Sequence, residues 1–348
     1  MTSAALFSVV QCPDCRGELV ARHQRARCAS CGREFDASHG YLDLRPREAF
    51  SEQTKYLDEA LHADARHESI APPVLGSKVR NDMLRRFLRP AAGDRILDLG
   101  CGNGRTLAWN AQSGAALTGI DIAPYFAPEA VDRSNLVLGD LRRLPLRDGA
   151  FTKAWSLDVL EHLSRPALLE MLAEANRVLA PGGALFVYTH VRKNGPLAAG
   201  VRGVNRFAAW LERFGVLDLR QERLRKSDHV NPLVDHEDLS AVAQASGFRI
   251  ERITYYTPIA GAFVENVLAR VAERLLAKRA ARTDAGATPE DAVRRARLSA
   301  QARVRRRGPT YHALRAATGV MKLDVALWGR FRSGPFFALL RKTGPPVE

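Results

Sequence analysis

Nowhere in its 348 residues does the chain hold an uninterrupted apolar run approaching the roughly 18 to 20 residues that a membrane-spanning helix needs, which argues against an integral membrane protein. The first ten residues lack the charged region and cleavage site of a secretory signal and run straight into Cys12, so the expected compartment is the cytoplasm. Cysteine is scarce: there are five, and four fall between Cys12 and Cys31. Such clustering in a reducing compartment does not suit a disulfide scaffold and points to metal binding. Aromatic residues are 7%, yet 46% of the chain is hydrophobic, enough to bury a sizeable core and to exclude a disordered tail. Acidic residues are in deficit, with a net charge of +14, and the imbalance is local, because residues 266–348 carry 18 Lys/Arg against six Asp/Glu. A basic module of that kind meets an anionic membrane surface, a nucleic acid or an acidic partner, or else presents solvated arginine-rich helix faces.

Residues 1–46 read as a zinc-ribbon-like module. Cys12-Pro-Asp-Cys15 and Cys28-Ala-Ser-Cys31 form two knuckle turns whose thiolates suit one tetrahedral zinc, and four thiolates leave no open position for water, so the role is structural. Residues 47–94 read as a helical connection ending in the breaker around Pro90 and Gly93. From Arg95 short apolar runs alternate with helical stretches: 95–99, 116–120, 136–138, 154–157 and 184–189. This pattern predicts an α/β fold, a doubly wound, mostly parallel sheet over residues 95–257, interrupted by a substrate-covering insertion at 191–232. Residues 258–348 read as a basic helical extension, with helical stretches at 262–281 and 289–307, the second opened by Thr288 and Pro289.

The most informative stretch is Asp98-Leu-Gly100-Cys101-Gly102-Asn-Gly104, a strand running into a glycine-rich turn and a helix. Arg105 stands where a dinucleotide fingerprint needs its third glycine, and no Gly-Lys-Ser/Thr follows for a phosphate loop. An acid just ahead of the glycines fits a compact ligand with a cationic end better than a pyrophosphate. Asp121 ends the next strand, where a carboxylate can accept both hydroxyls of a ribose, and Asp140 ends the third, where it can accept from an adenine amine. Cys101 reads as a small space-filler within the loop.

These residues resemble the class I S-adenosylmethionine-dependent methyltransferases. Residues 98–104 look like their first motif, Asp121 like their ribose acid, Gly139-Asp140-Leu141 like their adenine site, and Pro181-Gly-Gly183 like the turn before their fifth strand. The resemblance implies a Rossmann-like fold and a cofactor set of Asp98, Gly100, Cys101, Gly102, Gly104, Asp121, Ile122, Asp140, Leu141 and Leu157. Residues 144–151 and Asp158-Val-Leu-Glu161-His162 are similar to the small-molecule branch of that family, with quinone and secondary-metabolite enzymes. Candidate catalytic residues facing the methyl group are then Asp158, His162, His190 and His229. His162 has three readings: a ligand, with Asp158 and Glu161, for a divalent cation, to which His190 or His229 would add; a general base; or a structural histidine. His229 resembles the loop histidine that closes over substrate in this branch.

Two acceptors compete. The Asp158-to-His162 pattern implies a small-molecule, lipid or glycan acceptor, whereas a four-cysteine module ahead of such a domain resembles ribosomal RNA guanine methyltransferases. The Asn-Pro-Pro-Tyr element of base amino-methyltransferases is absent, and the cysteine module lacks clustered aromatic and basic residues. A segment at 321–337 that interleaves aromatics with basic residues reads as resting on an anionic bilayer, closing over a lipid-like substrate, lining a nucleic-acid path, or capping the core.

Overall fold

A computed structural model describes residues 4–47, 70–192, 195, 197–219, 223, 229–256, 259–272, 274–275, 302, 304 and 308–346. A helical turn α1 (Ala4–Phe7) precedes a three-stranded antiparallel sheet, β1 (Leu19–Arg22), β2 (Arg25–Cys28) and β3 (Glu34–Asp36). The main body runs β4 (Leu42–Asp43), α2 (Leu75–Leu88), β5 (Arg95–Leu99), α3 (Arg105–Asn110), β6 (Ala116–Asp121), α4 (Pro128–Val131), β7 (Asn135–Leu138), β8 (Phe151–Leu157), α5 (Arg165–Val178) and β9 (Leu179–His190). It continues with α6 (Ala198–Arg213), α7 (His236–Ala245), β10 (Phe248–Tyr255), α8 (Ile259–Phe263), α9 (Pro309–Trp328) and β11 (Pro335–Lys342). Within the connection 47–94, α2 is helical as expected, while 48–69 lie outside the described residues, as does almost all of 289–307 with the start signal at Thr288 and Pro289.

The main sheet has eight strands in the order β10-β11-β9-β8-β5-β6-β7-β4, parallel from β4 to β9 and antiparallel where β11 enters. From β5 the chain winds outward to β7, then returns to β8 on the other side. That reversal opens a crevice at the carboxyl ends of β5 and β8, where such sheets hold ligands. Alternate residues feed two cores: Leu97, Leu99, Val187 and Phe248 pack on one face, Ile96, Trp155, Phe186 and α2's Leu84 and Phe87 on the other. Both faces are covered, which is why the strands read as short continuous apolar runs.

The C-terminal extension is helical only in part. Residues 335–342 form β11, inserted between β9 and β10, because Phe336 to Leu340 are buried on both faces of the sheet. The four-cysteine module is also less separate than its composition suggests. Leu6, Val10, Leu19, Phe35 and Leu42 belong to the same core as Leu97 and Val187, and β4 extends the main sheet beside β7. Too small to build a core alone, the module borrows its neighbour's. Its backbone holds the loop after β7: the Gln11 N–H donates to the Pro145 carbonyl (3.0 Å) and the Arg147 N–H to that of Val9 (2.8 Å). Among the described residues no helix is long and apolar enough to cross a membrane.

Candidate functional site

The crevice floor is the turn from β5 into α3. Gly102 adopts φ +54°, and a Cβ built on it would meet nothing within 4 Å, so its bare face fronts open space where a ligand can approach the backbone. Gly104 adopts φ +80°, and a Cβ there would lie 2.4 Å from the Ala130 Cβ, so this glycine lets α3 and α4 close together.

Asp98, next to last in β5, is buried, and its Oδ2 has no hydrogen-bond partner. The indole N–H of Trp155 lies against the carboxylate without the alignment of a hydrogen bond and is itself unpartnered. Burial, aided by the charge of Asp121, pushes Asp98 up to about 7. A buried carboxylate with one oxygen left unpartnered has the chemistry to accept a cationic group. Asp121 accepts the Gly102 N–H at 2.7 Å and the Ala123 N–H at 3.1 Å. Burial raises its pKa, and these N–H groups oppose the rise. Asp140 is engaged by its neighbour, accepting from Nε (3.1 Å), Nη2 (2.9 Å) and the backbone N–H (2.9 Å) of Arg142. Ile122, Leu141 and Leu157 are half-buried nearby in sequence, Leu141 against one core and Leu157 against the other. Cys101 is buried, and burial and two nearby acids raise its thiol well above the ordinary range, which suits a space-filler.

Beyond β8 the proposed catalytic residues divide into two groups. Asp158, at φ +57°, turns toward α2, its Oδ2 3.6 Å from the Arg80 Nε. Glu161 goes the other way and is buried, accepting the Thr189 hydroxyl at 2.9 Å. Burial and the charge of Asp158 push Glu161 up to about 8. Three histidines gather around it. His190 Nε2 lies 3.3 Å from His229 Nδ1 and 3.9 Å from Glu161 Oε1, and the rings of His162 and His229 meet edge to face at 4.7 Å. His229 is held in place because the next segment is tethered: the Asn231 N–H donates to the Glu161 carbonyl, the Arg192 N–H to Leu233, and Arg165 grips Asp238 through two 2.7 Å bonds. Ligand atoms of Glu161, His162 and His229 lie within 4.8 Å of one another, so this trio, without Asp158, forms the group with the spacing to share a cation.

Sequence reasoning missed Arg80, Tyr188, Tyr256 and Glu265. The Arg80 guanidinium sits 5.2 Å from the Tyr188 ring centroid, and the Tyr256 hydroxyl is buried without a partner. A Cβ on Gly76 would overlap Glu265 and come within 3.0 Å of the Tyr256 hydroxyl, so Gly76 admits both to the crevice wall. Arg80 resembled any solvent-facing arginine of an amphipathic helix and gave no signal; Tyr188, ending a buried strand beside His190, gave one.

In the N-terminal module, the sulfurs of Cys12, Cys15, Cys28 and Cys31 lie within 4.8 Å of one another, with no disulfide among them. The Cys31 N–H points at the Cys28 sulfur (3.4 Å), as a knuckle turn requires. Burial raises the Cys28 thiol, but the N–H groups of Cys31 and Ser30 and the neighbouring thiols more than reverse this, to about 6.

Residues 97–187 match a family described as a methyltransferase domain. A sterol 4-C-methyltransferase of Caenorhabditis elegans is 36% identical over 107 residues, covering 28% of this chain and 31% of its own length. A ubiquinone biosynthesis O-methyltransferase of Azorhizobium caulinodans is 32% identical over 154 residues, covering 40% of this chain and 60% of that protein. The chain thus spans less than two thirds of the length of these relatives. A Haemonchus contortus phosphoethanolamine N-methyltransferase structure matches with a TM-score of 0.50 at 17% identity, over 84% of this chain and 58% of that one, which supports the fold and nothing further.

Proposed function

We propose that the chain, whose residues 97–187 match a methyltransferase-domain family, transfers a methyl group from S-adenosylmethionine to a small-molecule or lipid-like acceptor. The observation that carries the reading is the buried Asp98 carboxylate, whose Oδ2 has no hydrogen-bond partner, together with the open face of Gly102. The donor set fits this cofactor. Asp98 receives its ammonium group, Asp121 its ribose hydroxyls and Asp140 its adenine amine, the last two by sharing or exchanging bonds now made to Gly102 and Arg142. When bound, the cofactor supplies an electrophilic methyl carbon whose bond to sulfur breaks as the acceptor bonds to carbon.

The protein's own work is positioning and proton removal. The His190–His229 pair takes the proton of an acceptor hydroxyl, and Glu161, whose ionisation burial disfavours, steadies the pair from 3.9 Å. A second reading of the same residues rests on the Glu161, His162 and His229 spacing: a divalent cation held there would orient an acceptor with two adjacent oxygens. The four cysteines fit a structural zinc that locks the module onto the loop after β7. Relatives named for sterol and ubiquinone chemistry support an apolar acceptor.

The test is transfer of labelled methyl from S-adenosylmethionine into a cell extract. Label in the organic-soluble or small-molecule fraction is expected, and label concentrated in ribosomal RNA would refute the acceptor class in favour of the alternative, an RNA methyltransferase.

A further inference from the structure

Helix α6 (Ala198–Arg213) divides into three lengthwise stripes, of which its own fold uses one. Val204, Ala208 and Leu211 face inward and pack with Leu217 and Val267. Beside them Phe207, Trp210 and Phe214, at i, i+3 and i+7, are 43%, 51% and 67% exposed. Their rings touch in series, with centroids 5.9 Å and then 4.9 Å apart, so they form one apolar ridge in solvent. Arg202, Arg206 and Arg213, all exposed, flank that ridge on the side away from the core. The single acid of the helix, Glu212, is already gripped by Arg223.

The ridge is not isolated. Gly200 of α6 sits against Ile259 of α8, which also leaves Ile259 and Phe263 exposed. The N–H groups of Ala260 and Gly261 tie α8 to Asp324 of α9, and α9 repeats the arrangement with Val320, Leu323 and Leu327 exposed at i, i+3 and i+7. Soluble surfaces rarely leave this much apolar area uncovered unless something covers it.

We propose that α6 docks on an anionic lipid bilayer, its aromatic ridge entering the headgroup region and its arginines meeting lipid phosphates. Charge complementarity selects this occupant. An aromatic ridge flanked by arginines is the pattern of a helix lying in a membrane interface, and the +12 excess of residues 266–348 adds attraction to an anionic surface. A second copy of the chain fits less well, since a two-fold pairing of ridges would bring arginine stripes of like charge together. Single-stranded RNA fits less well too, because the aliphatic neighbours Ile259 and Leu323 offer bases no stacking plane. The inference stands apart from the methyltransferase reading, since lipid binding is measured without cofactor or acceptor.

The experiment is co-sedimentation of the full chain with phosphatidylcholine vesicles with and without phosphatidylglycerol. Binding to the anionic vesicles is expected, at least about tenfold tighter than to the neutral ones and weakened by salt. Phe207→Ser/Trp210→Ser/Phe214→Ser should lower it by at least about tenfold with circular dichroism unchanged. Arg202→Gln/Arg206→Gln/Arg213→Gln, altering solvent-facing residues only, should do the same and repeats the test should the first variant fold poorly. Failure of the wild type to bind anionic vesicles, or equal binding by both variants, overturns the proposal. A dimer or an RNA complex that the ridge variant loses, in a protein indifferent to vesicles, overturns it equally.

Discussion

Replacing Asp98 by asparagine should make the cofactor-free protein more stable at pH 8 while disabling it as a binder. The carboxyl group is buried with an unpartnered oxygen and is pushed up to about 7, chiefly by burial, from an ordinary 3.8. Between those two values the folded state holds a proton that the unfolded state has released, so the contribution of Asp98 to stability is complete below pH 3.8 and is lost as pH rises through about 7. At about 1.4 kcal/mol per pH unit the loss reaches about 4 kcal/mol by pH 8 and is only about 2 kcal/mol at pH 5. Asparagine removes the charge but leaves its amide in the same dry pocket, costing about 1–2 kcal/mol. The expected result is therefore a gain of about 2–3 kcal/mol at pH 8 and almost none at pH 5, read by urea denaturation followed by circular dichroism. S-adenosylhomocysteine should stabilise the wild type and fail to stabilise the variant. Equal effects at both pH values, or loss of stability at pH 8, would show that the Asp98 carboxylate is already satisfied and is no socket for a cation.

Asp121→Ala should weaken S-adenosylhomocysteine binding by about 2–4 kcal/mol in calorimetry, because the ribose loses a charge-assisted acceptor. Gly102→Ala, with open space above it, should cost only about 1 kcal/mol of folding stability yet obstruct the cofactor, whereas Gly104→Ala, 2.4 Å from Ala130, should cost about 2–4 kcal/mol in urea denaturation. His229→Ala should lower turnover about 100-fold with cofactor affinity unchanged; if the cation reading holds, magnesium should restore turnover after chelation, and if the base reading holds it should not. Zinc analysis should return about one ion per chain, and its removal should expose residues 12–36 to proteolysis while the sheet from Arg95 onward stays protected.

The parallel half of the sheet was legible because each strand lies between two helical layers and reads as a short apolar run. Arg95–Leu99 begins and ends where its pattern does, whereas Leu179–His190 outruns its 184–189 pattern by five residues at its N-terminus, through a glycine turn that carries no apolar signal, and by one at its C-terminus. Strand β11 was hidden because Phe336 to Leu340 follow a long helix and pair with residues about 150 positions earlier, a long-range contact that local pattern does not encode. The glycine turn could be read because its spacing is dictated by backbone geometry, with Gly100, Gly102 and Gly104 all at positive φ. The division of Asp158 from Glu161 could not, since it depends on the left-handed backbone at Asp158 and on Arg80, which arrives from a helix before the sheet begins. Nor did composition reveal that the cysteine module shares its core with the main sheet, because Val10 and Leu42 look like the scant interior of a small ribbon until β4 pairs with β7.

We propose that the turn from Gly100 to Gly104, with Asp98 and Asp121, holds S-adenosylmethionine. Isothermal titration of the folded chain with S-adenosylhomocysteine tests it most directly. Saturable binding at about one molecule per chain, lost in Asp98→Asn and in Gly102→Ala, is the expected result. A folded wild-type protein that gives no binding, or variants that bind as tightly as the wild type, would contradict it.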